Sequence, residues 1–375
     1  MFFESAKLRQ FRNFETADVD FSPRLNFFLG ENGQGKTNLL EALCLISQGE
    51  SFRYADNTTL LQYQKTEAFI SAKVNQNDLS YLLKLKLLKS KKQLFLNDKR
   101  ISTADIKKIF ATVVFSPESL SAIKEGADFR RQLVDDLLTT FDRNNSDLIA
   151  DYRKALKTRN RIFKDYSEGL RTQSEAQDLI ESLNPTFLKL ATRLTIARLR
   201  ALKGITRDFN QAMQYISNSP VDISVEYLVS GKNMIDQPES EVVDAIQRRA
   251  QELQLAELSS FTTLVGPHKH DIVFLYGQKD SRFYCSQGQQ RAIILSFKMA
   301  QIVYHRRVHG VYPVLMLDDV LSELDKSKRD ALITFLHEIN TQIFVTTTDL
   351  QLPQAFSLDQ ISVHRIHGGE ILQSV

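Results

Sequence analysis

Gly30-Glu31-Asn32-Gly33-Gln34-Gly35-Lys36-Thr37 completes the phosphate-loop pattern G-x-x-x-x-G-K-[ST]. The glycines of that pattern let backbone N–H groups wrap phosphates, the lysine reaches the outer phosphates, and the threonine hydroxyl ligates magnesium. The flanks fit the loop. Leu25-Asn26-Phe27-Phe28-Leu29 is an apolar run of strand length, and Asn38 to Ile46 has helical spacing, so the order is strand, loop, helix. A helix N-terminus directly after the loop adds its own attraction for anions. Gly30, Glu31, Asn32, Gly33, Gln34, Gly35, Lys36, Thr37 and Asn38 therefore read as nucleotide-binding residues, and a mere glycine turn would not need the lysine.

The acidic half of such a site lies far downstream. Val314-Leu315-Met316-Leu317-Asp318-Asp319 describes a buried strand whose first carboxylate, Asp318, emerges at the carboxyl edge of a sheet, where it can hold magnesium. Thr37 and Asp318 are the candidate metal ligands. Asp318 and Asp319 are the candidate catalytic carboxylates; Asp319 stands where many ATPases of this layout carry a glutamate, and it is one methylene shorter. A turn closing a strand would also explain the pair, but it leaves the lysine loop without its partner.

Between the two halves, Ser286-Gln287-Gly288-Gln289-Gln290-Arg291 precedes a helical pattern, so Ser286, Gly288 and Gln289 sit at a helix N-terminus able to receive another phosphate. Alone, the serine would pass for an ordinary cap. With Lys36 and Asp318 in the same chain, the segment resembles the signature of ABC-type ATPases, in which one subunit's signature helix covers the γ-phosphate held by the other subunit's lysine loop.

Further pieces narrow the resemblance. Leu8 to Phe14, Gly33 to Ala42, Ser51-Phe52-Arg53, Phe115-Ser116-Pro117-Glu118, Arg130-Arg131 followed by Asp135, Gly266-Pro267-His268, Gly288 to Arg291, and Leu317 to Asp325 resemble, in this order and over almost the whole chain, the bacterial RecF family of DNA repair and recombination ATPases. The resemblance implies an ATP- and Mg2+-binding head of the ABC/SMC type and an ATP-dependent homodimer. It implies DNA as a partner, at duplexes and gap junctions, and mediators of the RecR and RecO kind. Ser322-Glu323-Leu324-Asp325 would match the D-loop that links the two nucleotide sites. Two landmarks depart from the transporter pattern: Thr346-Thr347-Thr348 stands where a switch histidine is usual, and no Q-loop glutamine is evident. Both suit a slow ATPase used as a switch.

Bulk properties agree. Lys plus Arg number 48 against 45 Asp plus Glu, a net charge of +3, so any DNA-binding face must come from local clustering. Cys44 and Cys285 cannot make a disulfide framework, which fits a reducing compartment. No signal-peptide pattern and no apolar run near the roughly 20 residues of a membrane span is present. The expectation is a cytoplasmic protein with no membrane partner.

The fold class expected is α/β, an ABC-type P-loop ATPase head with a β-rich lobe and a second, helical arm domain. Residues 1–145 give the first part of the head, with strands at Ala17 to Phe21, Ala68 to Val74, Tyr81 to Leu88, Gln93 to Asn97 and Thr112 to Phe115, and a helix at Phe129 to Phe141. Residues 146–217, or to about 258 by a wider boundary, give the arm, read as two long antiparallel helices separated near Asn184-Pro185. Residues 218–375 return to the head with the signature, the Walker B strand and the D-loop.

The arm carries Arg153, Lys154, Lys157, Arg159, Arg161 and Lys164 on its first helix and Arg193, Arg198, Arg200, Lys203 and Arg207 on the second. Such spacing suits phosphates without base readout, although a solvated helical face reads the same way. His268, His270 and Asp271 lack companion ligands and read as hydrogen-bonding residues rather than a metal site. Competing readings are an SMC-type structural clamp, whose coiled coils run to hundreds of residues, and a transporter ATPase subunit, whose helical segment is much shorter.

Overall fold

The computed structural model describes residues 1–53, 55–76, 79–142, 144–218, 220–349 and 361–372. Positions 219, 350–360 and 373–375 of the expected C-terminal part lie outside the described residues. Two compact units divide the chain: Met1–Ser121, Ala212–Ser219 and Ile294–Val375 form the first, and Ala122–Gln211 with Pro220–Ile293 form the second. The segment expected as the arm, 146–217, thus falls mostly in a larger unit that also holds Ser286, Gly288 and Gln289.

In the first unit, Lys36–Gln48 is the central helix, and every residue from Leu39 to Ser47 is buried. A helix apolar all round must be covered on all sides. It is. One cover is a six-stranded sheet in the order Glu370–Leu372, Ile361–His367, Leu25–Leu29, Ile343–Thr347, Val314–Asp318, Thr112–Phe115, parallel except for its first pair. The other is a six-stranded antiparallel sheet in the order Phe14–Asp20, Phe2–Phe11, Glu67–Gln76, Leu79–Leu88, Lys91–Leu96, Lys99–Ile101. Phe3, Phe28, Phe110, Phe344, Leu83, Leu85 and the helix's own leucines share one core. Gln342 joins the sheets: its buried amide accepts from Phe3 N at 2.7 Å and donates to Phe3 O and Ser22 O, both at 2.8 Å. The strands read from the sequence appear within a few residues of their expected limits.

The second unit holds helices Ala127–Phe141, Asn145–Ser167, Gln173–Ser217 and Glu239–Ser260, of which the third runs on beyond it, and a four-stranded antiparallel sheet, Lys232–Asn233, Ile223–Val229, Asp271–Tyr276, Lys279–Asp280. The expected break at Asn184-Pro185 is not there. Pro185 lies inside the 45-residue helix, where it forfeits one intrahelical hydrogen bond. Burial of Ile180, Phe187, Ala191 and Leu194 on both sides carries the helix through. The turn comes earlier: Gly169 takes a left-handed φ of 70°, and Thr172 caps the new helix in a box with Glu175. The helix Glu239–Ser260 packs on both of these helices, Leu258 against Phe163 and Ile180.

Two of the arm's arginines are withdrawn from any phosphate. Arg159, 2 % exposed, makes a double hydrogen bond with Glu257 at 2.8 Å each, and Arg198, 3 % exposed, does the same with Asp135 at 2.8 and 3.0 Å. A guanidinium so deep must be paired, because desolvation of a lone charge costs several kcal/mol. Glu257 Oε1 also accepts the backbone N–H groups of Leu264 and Val265. Glu257→Ala should therefore destabilise the protein by about 3–5 kcal/mol, leaving a buried cation and two orphaned donors. Urea unfolding checks this; a change under ~1 kcal/mol would mean water reaches Arg159.

Candidate nucleotide site

The parallel sheet builds the site. Its strands end together: Leu29 leads into the lysine loop, and Asp318 lies in register with Thr346, which in turn pairs with Phe28. Carboxyl ends of parallel strands are where such sheets bind ligands. Lys36 Nζ donates to Gly30 O at 2.7 Å and Glu31 O at 2.9 Å, so its own loop holds the ammonium at the mouth. Burial pulls the Lys36 pKa down, and Asp319 and Asp318 oppose that shift. The loop has no room for side chains at two of its glycines. A Cβ on Gly30 would sit 2.4 Å from Ile366 O, and Gly35 has φ +121° with Asn13 Nδ2 2.7 Å from its would-be Cβ.

Thr37 and Asp318, 281 residues apart, meet: Thr37 Oγ1 donates to Asp318 Oδ1 at 2.8 Å. Thr346 Oγ1 donates to the same oxygen at 2.9 Å and accepts the Asp319 N–H at 2.8 Å. Thr346 thus holds both aspartates. Asp319 follows in a left-handed φ of 49°, a conformation that Asp tolerates better than most residues. Burial pushes the Asp318 pKa up, the hydroxyls of Thr37 and Thr346 work against it, and Glu118 adds to it by charge repulsion.

Several neighbours were quoted in the sequence without a role. Glu118, placed by a Ser116-capped turn after the strand Thr112–Phe115, acts electrostatically on Asp318, and its Oε2 is buried without a partner among the described residues. Asn13 Nδ2 donates to Gln34 O and its Oδ1 accepts from Asn38, which braces the loop from the turn between Phe2–Phe11 and Phe14–Asp20. Arg12 makes a double hydrogen bond with the fully buried Glu41, which also accepts from Ser51. Arg53 Nη1, 3.4 Å from Asn38 Oδ1, favours ionised Asp318. The spaced fragments around 12, 51 and 115 were the available signal. Only folding reveals that they converge.

In the second unit, Ser286 opens the helix Gln287–His309 as a reciprocal cap: Gln289 N donates to Ser286 Oγ at 3.3 Å and Ser286 N to Gln289 Oε1 at 2.8 Å. Ser286 stays exposed, Gly288 and Gln289 are half-buried, and Gln290 fixes the preceding turn by donating to Ser281 O at 2.8 Å. Further on, Ser322 Oγ donates to Asp319 O at 2.7 Å, and Asp325 caps the helix Lys326–Glu338. His268 and His270 are hydrogen-bonding residues, as read: Tyr152 and Thr263 engage His268, and Tyr227 engages His270. Burial lowers the His268 pKa to about 4 and keeps the ring neutral. Asp271 pairs with Arg130 and Arg282.

The family model described as RecF/RecN/SMC N terminal domain matches residues 2–366. The chain belongs to the RecF family. A relative named DNA replication and repair protein RecF, from Heliobacterium modesticaldum, is 34% identical over 99% of both chains. Its namesake from Lactobacillus delbrueckii subsp. bulgaricus is 32% identical over 100% of this chain and 97% of its own. Among solved structures, the recombination mediator protein RecF with ATP, of the RecFOR pathway, superposes with a TM-score of 0.86 at 28% identity, covering 100% of this chain and 97% of that one. An Smc head domain with an extended coiled coil, derived from Pyrococcus furiosus, gives 0.53 at 14% identity over 100% and 96%, a likeness of fold alone. The expected α/β head with a helical arm is thus the RecF-family architecture.

Asp318→Asn should weaken magnesium-dependent nucleotide binding, and Thr346→Val should do so less, because it frees both aspartates without removing the charge. Equal, unchanged affinities in titrations with and without magnesium would separate this sheet edge from nucleotide binding.

Proposed function

We propose that this RecF-family chain is an ATP-driven DNA-binding switch of recombinational repair and replication restart, with 1–145 and 218–375 forming the ATPase head and the helices of 146–217 its arm. The contact of Thr37 with Asp318 at 2.8 Å, beside the Lys36 ammonium, carries the reading, because it joins the two halves of a nucleotide site at one sheet edge. Gly30 to Asn38 would bind ATP through backbone N–H groups and Lys36. The oxygen pair of Thr37 and Asp318, with the orphaned Glu118 oxygen nearby, fits a hard cation such as Mg2+, which when bound would neutralise phosphate charge. Asp319 would orient or deprotonate the attacking water, and a short carboxylate suits slow hydrolysis.

Ser286, Gly288 and Gln289, at an exposed helix N-terminus, would complete the nucleotide site of a second copy, so ATP binding drives a homodimer. The relatives' name and the RecFOR pathway of the ATP-bound neighbour support action with RecR- and RecO-like mediators at single-strand gaps. DNA would be held by its backbone, at duplexes and gap junctions and without regard to sequence. The cytoplasm is the proposed compartment; among the described residues no helix is long and apolar enough to cross a membrane. Sedimentation with and without ATP, alone and with a gapped duplex, tests the reading: ATP should produce a dimer and DNA should travel with it. A monomer at saturating ATP that leaves DNA behind would end it.

A further inference from the structure

The outer face of the antiparallel sheet in the first unit gathers basic residues from five strands. Its inner face is buried: Leu83, Leu85, Leu87 and Leu94 point into the core. The alternate residues face solvent and fall into cross-strand rows. One row reads Asp18, Lys7, Ser71, Lys84, Phe95, Arg100 and the next Thr16, Arg9, Phe69, Lys86, Gln93; Lys73, paired with Ser5 and Leu82, stands in a third, and Lys91, paired with Leu88, at the other end. Neighbouring strands lie roughly 5 Å apart and same-face residues along a strand roughly 7 Å, so the cationic heads form a two-dimensional lattice on one surface.

Carboxylate partners cover only part of this face. Lys7, Lys84 and Lys86 touch Asp18, Asp98 and Glu67, exposed pairs that hold their charges weakly. Arg9, Lys73, Lys91 and Arg100 are exposed and have no carboxylate within ion-pair distance among the described residues. On the arm, Arg161, Lys164, Arg200 and Lys203 each face one, while Lys154, Lys157, Arg193 and Arg207 are exposed without one among the described residues. Lys86 lies 5.0 Å above the half-buried Phe69 ring, which props its head toward solvent.

We propose that this sheet face is a DNA-backbone surface: Arg9, Lys73, Lys91 and Arg100 neutralise phosphates of a duplex laid across the strands, with the paired lysines joining when DNA displaces their carboxylates. Contacts to phosphates from such a face would give affinity without sequence preference. The inference rests on the DNA-binding reading above and locates it.

The experiment is a salt titration of duplex binding by the full chain and by Arg9→Gln/Lys73→Gln/Lys91→Gln/Arg100→Gln, with ATP binding and the thermal transition measured on both. Four lost contacts should reduce the slope of log K against log salt by about 3 to 4 and lower affinity for unrelated duplexes alike, with ATP binding unchanged. Single substitutions, each lowering the slope by about 1, keep the test open if the quadruple variant unfolds. Wild-type slope and affinity in folded variants would overturn the assignment of this face. Absence of DNA binding by the parent chain would instead overturn the functional reading on which it rests.

Discussion

Lys36→Ala is expected to lose ATP binding by about a hundredfold or more while the fold persists. The ammonium makes charge-assisted hydrogen bonds to Gly30 O and Glu31 O, and outer phosphates would replace these with stronger ones. Two such bonds at about 1.5–3 kcal/mol each correspond to at least that factor in affinity. The core does not depend on the head group, because the apolar packing of the central helix begins at Leu39. Calorimetric titration with ATP and magnesium, beside a melting curve, measures both halves. Tight, magnesium-dependent binding by a folded Lys36→Ala protein would remove the loop from the nucleotide site.

Ser286→Arg has the second large effect, and it should appear only between chains. Ser286 is exposed and its structural work is a single cap, worth about 1 kcal/mol, so the variant should fold and bind ATP at Lys36 as the parent does. A bulky cation at the positive end of a helix opposes both close approach and the dipole's pull on a phosphate. ATP-driven dimerisation should vanish, and with it hydrolysis. Light scattering across a concentration series reads the loss; dimers forming with the parent's ATP dependence would exclude Ser286 from the contact.

The nucleotide half of the site was legible because its information is local. A glycine-rich loop between a strand and a helix, and a carboxylate ending an apolar strand, each carry their chemistry within eight residues or so. The signature resemblance rests on combination with Lys36 and Asp318, since Ser286 by itself is a helix cap. What the sequence hid is non-local. Pro185 looks like a break, yet burial on both sides overrides its lost hydrogen bond, and the true turn was announced by Gly169 and the Thr172–Glu175 box. Arg159 and Arg198 look like solvent charges until Glu257 and Asp135, 98 and 63 residues away, are folded onto them. Thr346 looked like a missing histidine and is instead the hydroxyl that holds Asp318 and Asp319. The basic sheet face depends on the register of several strand pairs, which no single stretch encodes.

The most direct measurement is a mixture of two variants. Ser286→Arg keeps its lysine loop and Lys36→Ala keeps its signature helix, so each alone lacks a component of every site it could form, while a mixed dimer holds one complete composite site. ATPase activity recovered in part on mixing, from variants that are each inactive, is the result that completion in trans requires. Full activity from Ser286→Arg at concentrations where it sediments as a monomer would place the whole site within one chain and contradict the ATP-driven dimer.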